Sequence, residues 1–276
     1  MMLRHALLAI SAVTMLAACA GPTTERPRYS KEEMLQERAK QKAAAEAARI
    51  NFNDKKNYSP QQIQAFAARL NAVSAPVEQA AAHMCRELTG GRGACNSQVV
   101  LAADQKGLNA HADGERVVVY PAMIDFAQKD EHLAFVIAHE FAHNIMGHVQ
   151  AAQQNTAVGG ILGTILDVAA STQGMDTQGM FGQVGASQAQ LRFSPQFEHE
   201  ADYVGLYILA RSGYKIDEAP QFWRVMSQAE PDAIYISTTH PSNPERTIQM
   251  EKTVAEIHAK QQAGQPLFPN IKKKKK

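Results

Sequence analysis

Between residues 130 and 148 the chain reads DEHLAFVIAHEFAHNIMGH, and Leu133, Val136, Ile137, Phe141 and Ile145 recur there at helical spacing. This predicts a core-facing helix starting near Asp130, whose carboxylate suits a cap, with Glu131 at the positive end. Three short apolar stretches precede it, at residues 99–103, 108–112 and 116–120, and Asp113-Gly114 between the last two reads as a hairpin turn. Together they predict a small antiparallel sheet packed on the helix. Further upstream, residues 60–88 predict a second helix. Ser30 and Glu33 form a capping-box start for a charged, Ala-rich helix reaching about residue 50. That helix has no continuous apolar stripe, so a solvated arm is expected, with a partner-binding helix as the alternative. Residues 156–190 begin with GGILGTILDVAA, apolar but interrupted by Asp167 and too short to span a membrane, and continue Gly-, Gln- and Met-rich. A packed helix followed by a mobile loop is expected, or else a lid over the site. The fold class is α+β and mainly helical.

Chemistry concentrates on one turn of the predicted helix. His139 and His143, four residues apart, share a face and can reach one ion, and Glu140 sits beside them, placed to take a proton rather than to ligate. This is the HExxH arrangement of a zinc peptidase, in which zinc acidifies a water and the Glu accepts its proton. A chance pairing of two histidines on a buried helix is the plain alternative. His148 lies nine residues after His139, about 180° round a straight helix, so it is expected to face away. The extended HExxHxxGxxH pattern is absent, because Met146 and Val149 occupy its places for Gly and His.

A further ligand is therefore sought elsewhere, and residues 198–202 read EHEAD. On a helix Glu198 and Asp202 share a face, His199 lies a quarter-turn away and Glu200 points nearly opposite. Glu198 is then the third metal ligand, with Asp202 holding an imidazole N–H.

HEFAH, followed some fifty residues later by FEHEADYVGLYILARSGY and then by THPSNPER, resembles the HtpX/BepA/LoiP-type zinc metallopeptidase family, which includes the CAAX prenyl endopeptidases. The likeness covers roughly residues 60–255. It implies a gluzincin-like domain with one Zn2+ per chain on His139, His143 and Glu198. It also implies that His240 approaches the metal or the transition state, either restraining or assisting catalysis, and that Arg246 anchors the loop around His240. In such peptidases an edge strand takes the substrate backbone as an added strand, and Asn109-Ala110 is the candidate edge. Pro121-Ala122 departs from the Gly-hydrophobic pair common in relatives.

Charge narrows the partners. With 28 Lys and Arg against 27 Asp and Glu, and 7% aromatic residues, nothing points to nucleic acid. Arg4 and His5 precede an apolar run at 6–17, a signal-peptide h-region, and Leu16-Ala17-Ala18-Cys19 resembles a bacterial lipobox that lipidates Cys19. Ordinary secretion by cleavage at Ala18-Cys19-Ala20 is the alternative. Ala20 after the cysteine favours the outer membrane by lipoprotein analogy. Cys85 and Cys95, separated by a Gly-rich stretch, suit a disulfide in an oxidising compartment, the alternative being two buried thiols.

The expected organisation is a signal peptide at 1–18, an anchor and charged helical spacer at 19–58, the peptidase domain at 59–262 and a basic tail at 263–276, whose terminal lysine run at 272–276 is expected to be solvated. The expected function is a lipid-anchored endopeptidase acting on misfolded or damaged envelope proteins. A zinc-bound chaperone or outer-membrane assembly factor with little turnover is the alternative.

Overall fold

The computed structural model describes residues 23–48, 56–172, 177, 178, 180, 193–229 and 244–272. Capping chemistry sets the first two helices. The Ser30 hydroxyl accepts from the Glu33 N–H while the Glu33 carboxylate accepts from the Ser30 N–H, opening α1 (Lys31–Ala48). Ser59 and Gln62 repeat the device for α2 (Pro60–Thr89), which ends at Gly90, in the left-handed conformation at φ 66°. Near that end a disulfide joins Cys85 to Cys95, as expected.

Three strands follow, β1 (Gln98–Leu101), β2 (Ala110–Ala112) and β3 (Arg116–Val119), in the spatial order β1-β3-β2. The β2–β3 hairpin is antiparallel and turns at Asp113-Gly114 as expected, but β1 pairs parallel to β3, so the sheet is mixed. Chain direction does reverse at each connection. What differs is which strand takes the centre: β3, with Val117 and Val119 fully buried, inserts between the other two and leaves β2 at an edge.

Pro121 opens the short α3 (Pro121–Phe126), and α4 (Asp130–Ile145) comes next. Asp130 is the first residue of α4 rather than its cap, because its carboxylate is engaged by Arg69 at 2.9 Å. The same guanidinium donates to the carbonyls of Ile124, Ala127 and Gln128 as α3 ends, so one arginine fixes the approach to α4. Beyond lie α5 (His148–Thr172), α6 (Pro195–Arg211), α7 (Glu218–Ala229) and α8 (Pro244–Gln262). None of the described helices is long and apolar enough to cross a membrane.

From Leu133 to Ile145 every residue of α4 is buried, so this helix runs through the core instead of lying on it. Helix α6 lies against it with Phe197 to Leu209 all buried, and α2 and the sheet cover other faces. Close approach of α4 and α6 depends on Gly205. A Cβ there would stand 3.1 Å from both the Cα and the N of His139, backbone atoms that cannot swing aside.

The N-terminal helix is where the structure departs most from expectation. Instead of a solvated arm, α1 docks on α7 and α8 through polar groups. Glu37 is 2% exposed and receives two bonds from Arg224, at 3.0 and 3.1 Å, while Gln41 donates to the Thr247 hydroxyl. Ahead of the terminal lysine run the chain packs as well. Leu267 and Phe268 rest against the core, and Thr24 pairs with Ile271 as an isolated antiparallel bridge. Residues 273–276 lie outside the described residues, as does most of the Gly- and Gln-rich stretch after α5.

Candidate metal centre

His139 and His143 rise from successive turns of α4, and Glu198 faces them from the first turn of α6. The two Nε2 atoms are 3.1 Å apart, and each lies 3.5 Å from a different oxygen of Glu198. All three residues are buried, and one ligand atom from each lies within 4.8 Å of the others, a set that could hold a metal ion. Two imidazoles and a carboxylate leave a position open when the ion is four-coordinate, as a catalytic zinc site requires.

Charge around the set is compensated. His139 Nδ1 lies 2.9 Å from Asp202 Oδ1, and Arg246, fully buried, binds both Asp202 oxygens at 2.7 Å. The same guanidinium reaches Glu198 Oε2 at 2.7 Å and lies over the Trp223 ring at 4.0 Å. Burial pushes the Asp202 pKa up, but the adjoining Arg246 and His139 outweigh it and hold the carboxyl below its ordinary value. Burial alone would likewise lower His139, yet its bonds to Asp202 and Glu198 push it up to about 9. The donor set, two imidazoles and a carboxylate buried together, fits a divalent metal. Glu140, 2% exposed, follows His139 in sequence, and its charge adds to the field that keeps Arg246 ionised.

One expectation fails. His148 does not face away: it is 1% exposed, its Nδ1 lies 3.0 Å from His143 Nδ1, and its Nε2 lies 3.1 Å from Glu200 Oε2. The straight-helix reading breaks because α4 stops at Ile145 and Gly147, at φ 71°, turns the chain so that α5 begins back beside the site. Glu200, assigned to the opposite face of its helix, is buried there as the partner of His148. The Gly147-His148 dipeptide carried the signal, since a left-handed residue just after a helix redirects the chain beyond it.

The structure thus brings together His139, His143, Glu198, Asp202 and Arg246, with Glu140 alongside. Asn109 and Ala110 lie at the start of the edge strand β2, where the Asn109 carbonyl accepts from the Tyr120 N–H. The hairpin that carries β2 is clasped to α4 by Asn144, which accepts from the Gly114 N–H and donates to the Arg116 carbonyl. Cys19 and His240 lie outside the described residues. Trp223 went unnoticed in the sequence, although it is the chain's lone tryptophan and lies under Arg246.

A buried pair of imidazoles and a carboxylate on two facing helices is the kind of centre a metallopeptidase carries. Residues 72–254 match the model of Peptidase family M48, so the chain belongs to that family. Among its relatives are the mitochondrial metalloendopeptidase OMA1 of Schizosaccharomyces pombe, 28% identical over 55% of this chain and 44% of the relative, and two proteins named beta-barrel assembly-enhancing protease. The one from Escherichia coli K12 is 33% identical over 46% of this chain and 28% of its own length, and the one from Yersinia pestis 37% identical over 40% and 24%. The chain thus spans less than half the length of these relatives.

Proposed function

We propose that this chain is a zinc endopeptidase that cleaves misfolded or damaged proteins of the bacterial envelope, tethered to the outer membrane by a lipid on Cys19. The observation that carries the reading is the convergence of His139, His143 and Glu198 with Glu140 on the adjoining position of α4. When bound, zinc supplies Lewis acidity, polarising the scissile carbonyl and lowering the pKa of water to about 7. Glu140 takes the proton from the attacking water and returns it to the leaving amine. Asp202 orients His139 through Nδ1, and Arg246 occupies one oxygen of Glu198 while neutralising the second buried carboxylate. The edge strand at Asn109-Ala110 receives the substrate backbone, a mode that makes few demands on side-chain sequence and so suits unfolded chains. His240 belongs to the proposed catalytic set on the family pattern alone.

Two observations support the compartment. The Cys85–Cys95 disulfide fits an oxidising environment, and bacterial relatives are named for β-barrel assembly.

Glu140→Gln tests the chemistry. The amide cannot accept the proton while the ligands stay in place, so casein hydrolysis should fall by roughly 10²–10⁴-fold with one zinc retained per chain. Normal turnover in that variant refutes the mechanism. Cys19→Ser tests the tether: fatty-acid labelling should disappear, and persistent labelling would place the lipid elsewhere.

A further inference from the structure

His139 has a carboxylate on its Nδ1, whereas the second imidazole of the cluster has another imidazole there. The difference is resolved by following the protons. If His143 ligates through Nε2, the atom facing Glu198, its Nδ1 carries the proton and must donate. The atom it meets at 3.0 Å is His148 Nδ1, which must then be bare and accept. The His148 proton is thereby placed on Nε2, which faces Glu200 Oε2 at 3.1 Å. The other oxygen of Glu200 accepts from the Thr23 N–H at 2.6 Å, the Thr24 N–H at 2.7 Å and the Thr24 hydroxyl at 2.8 Å. Every bond in the series then has one donor and one acceptor, and the direction of each is set by an ionised carboxylate that only accepts.

We infer that His148 is a positioning residue for the metal ligand His143, its tautomer set by Glu200, so that a neutral imidazole relays to this ligand what Asp202 gives directly to His139. The surroundings hold the ring for that task. His148 stacks on Phe197 with ring centroids 4.4 Å apart, and His143 stacks on Phe193 at 3.9 Å, so neither ring can turn without losing a packed neighbour. Phe197 and Glu200 both lie on α6, the helix that supplies Glu198, so a single helix delivers a ligand and the support for a ligand on another. The series ends on backbone N–H groups of residues 23 and 24, only four and five positions after Cys19, which ties the segment nearest the proposed anchor to the metal cluster.

The inference rests on the reading of His139, His143 and Glu198 as a zinc site, and the test separates the two. Zinc affinity of the full chain is measured by chelator competition for the wild type, His148→Phe and His148→Asn. A wild type that binds no zinc overturns the site itself. If the site stands, His148→Phe, which keeps the stacked ring and removes both nitrogens, should lose 10- to 100-fold in affinity. His148→Asn loses the ring but puts an amide oxygen near the Nδ1 position, and should recover part of that loss. A packing role predicts the reverse ranking, so affinity in His148→Phe equal to wild type, or above that of His148→Asn, overturns the inference. Should either variant fail to fold, ¹⁵N NMR of the histidine rings in the zinc-loaded wild type decides the matter. A bare Nδ1 and protonated Nε2 on His148 are expected, and the opposite tautomer overturns the assignment.

Discussion

Helix α4 and helix α1 are both attached to α-helical neighbours, by opposite means. Between α4 and α6 the contact is apolar and close, with Phe141, Ala142, Val204 and Ile208 buried and Gly205 letting the backbones approach. The polar cluster embedded there is enclosed by that packing and compensated by Arg246. Among the described side chains of α1 the buried ones are a carboxylate and an amide, Glu37 on Arg224 and Gln41 on Thr247, and Lys252 adds an ion pair to Glu33 at 2.7 Å. The contrast separates enclosure by apolar packing from docking through polar groups. Apolar packing gives α4 a geometry that salt does not disturb, whereas α1 lies on the surface of α7 and α8 through interactions that ions and water can replace.

The largest effect expected from breaking this contrast lies within the enclosed region. His139 in the metal-free site is pushed up to about 9 from an ordinary value of 6.5, so the folded chain binds a proton there that the unfolded chain has released. That contribution is full below pH 6.5 and is lost as pH rises towards 9, a loss of roughly 3 kcal/mol when the chain is stripped of metal. Urea melts of stripped protein across this window measure it. Zinc affinity should move the other way, rising with pH as the competing proton leaves. Metal-free stability that stays level from pH 6.5 to 9 would contradict the buried, carboxylate-paired imidazole.

Gly205→Ala should cost about 2 kcal/mol, because the added methyl meets the backbone of His139 and separates the helices that carry His139, His143 and Glu198. Chemical denaturation gives the stability, and zinc titration should show a parallel loss of affinity. A neutral result would mean that α4 and α6 are less closely apposed than 3.1 Å implies.

The smallest global effect should come from Arg224→Ala. Although Glu37 is buried, α1 can lift away and rehydrate its carboxylate, so the cost is capped at the docking energy of one polar helix, about 1 kcal/mol. Amide exchange should quicken across residues 31–41 while α4 keeps its protection, and raised salt should reproduce the pattern in the wild type. Equal loss of protection in α4 would show that the two attachments are one cooperative unit.

Legibility depends on how local each interaction is. The spacing of His139 to His143 was readable because the pair lies about a turn apart on a helix that the apolar positions announced, and that of Glu198 to Asp202 followed once EHEAD was read as helical. The hairpin at Asp113-Gly114 was readable because Asp113 bonds the N–H groups of Glu115 and Arg116, a turn built from adjacent residues. The position of His148 was not readable, since one left-handed residue at 147 converts an outward direction into an inward one. Nor was the docking of α1, because polar contacts leave no periodic mark and Glu37 looks like any other acidic residue until Arg224 is beside it.

By itself the sequence announced the helix bearing HExxH, set Glu198 and Asp202 on one face of a helix, and pointed to the Cys85–Cys95 pair and the hairpin, all matters of short-range periodicity, capping and composition. The tertiary structure decided which strand stands at the centre of the sheet, that one arginine joins Glu198 to Asp202, and that His148 and Glu200 stand behind His143. These depend on where distant segments meet. That meeting is set by the close packing of α4 on α6 and by the need of each buried charge for a partner, and neither has a local signature in the chain.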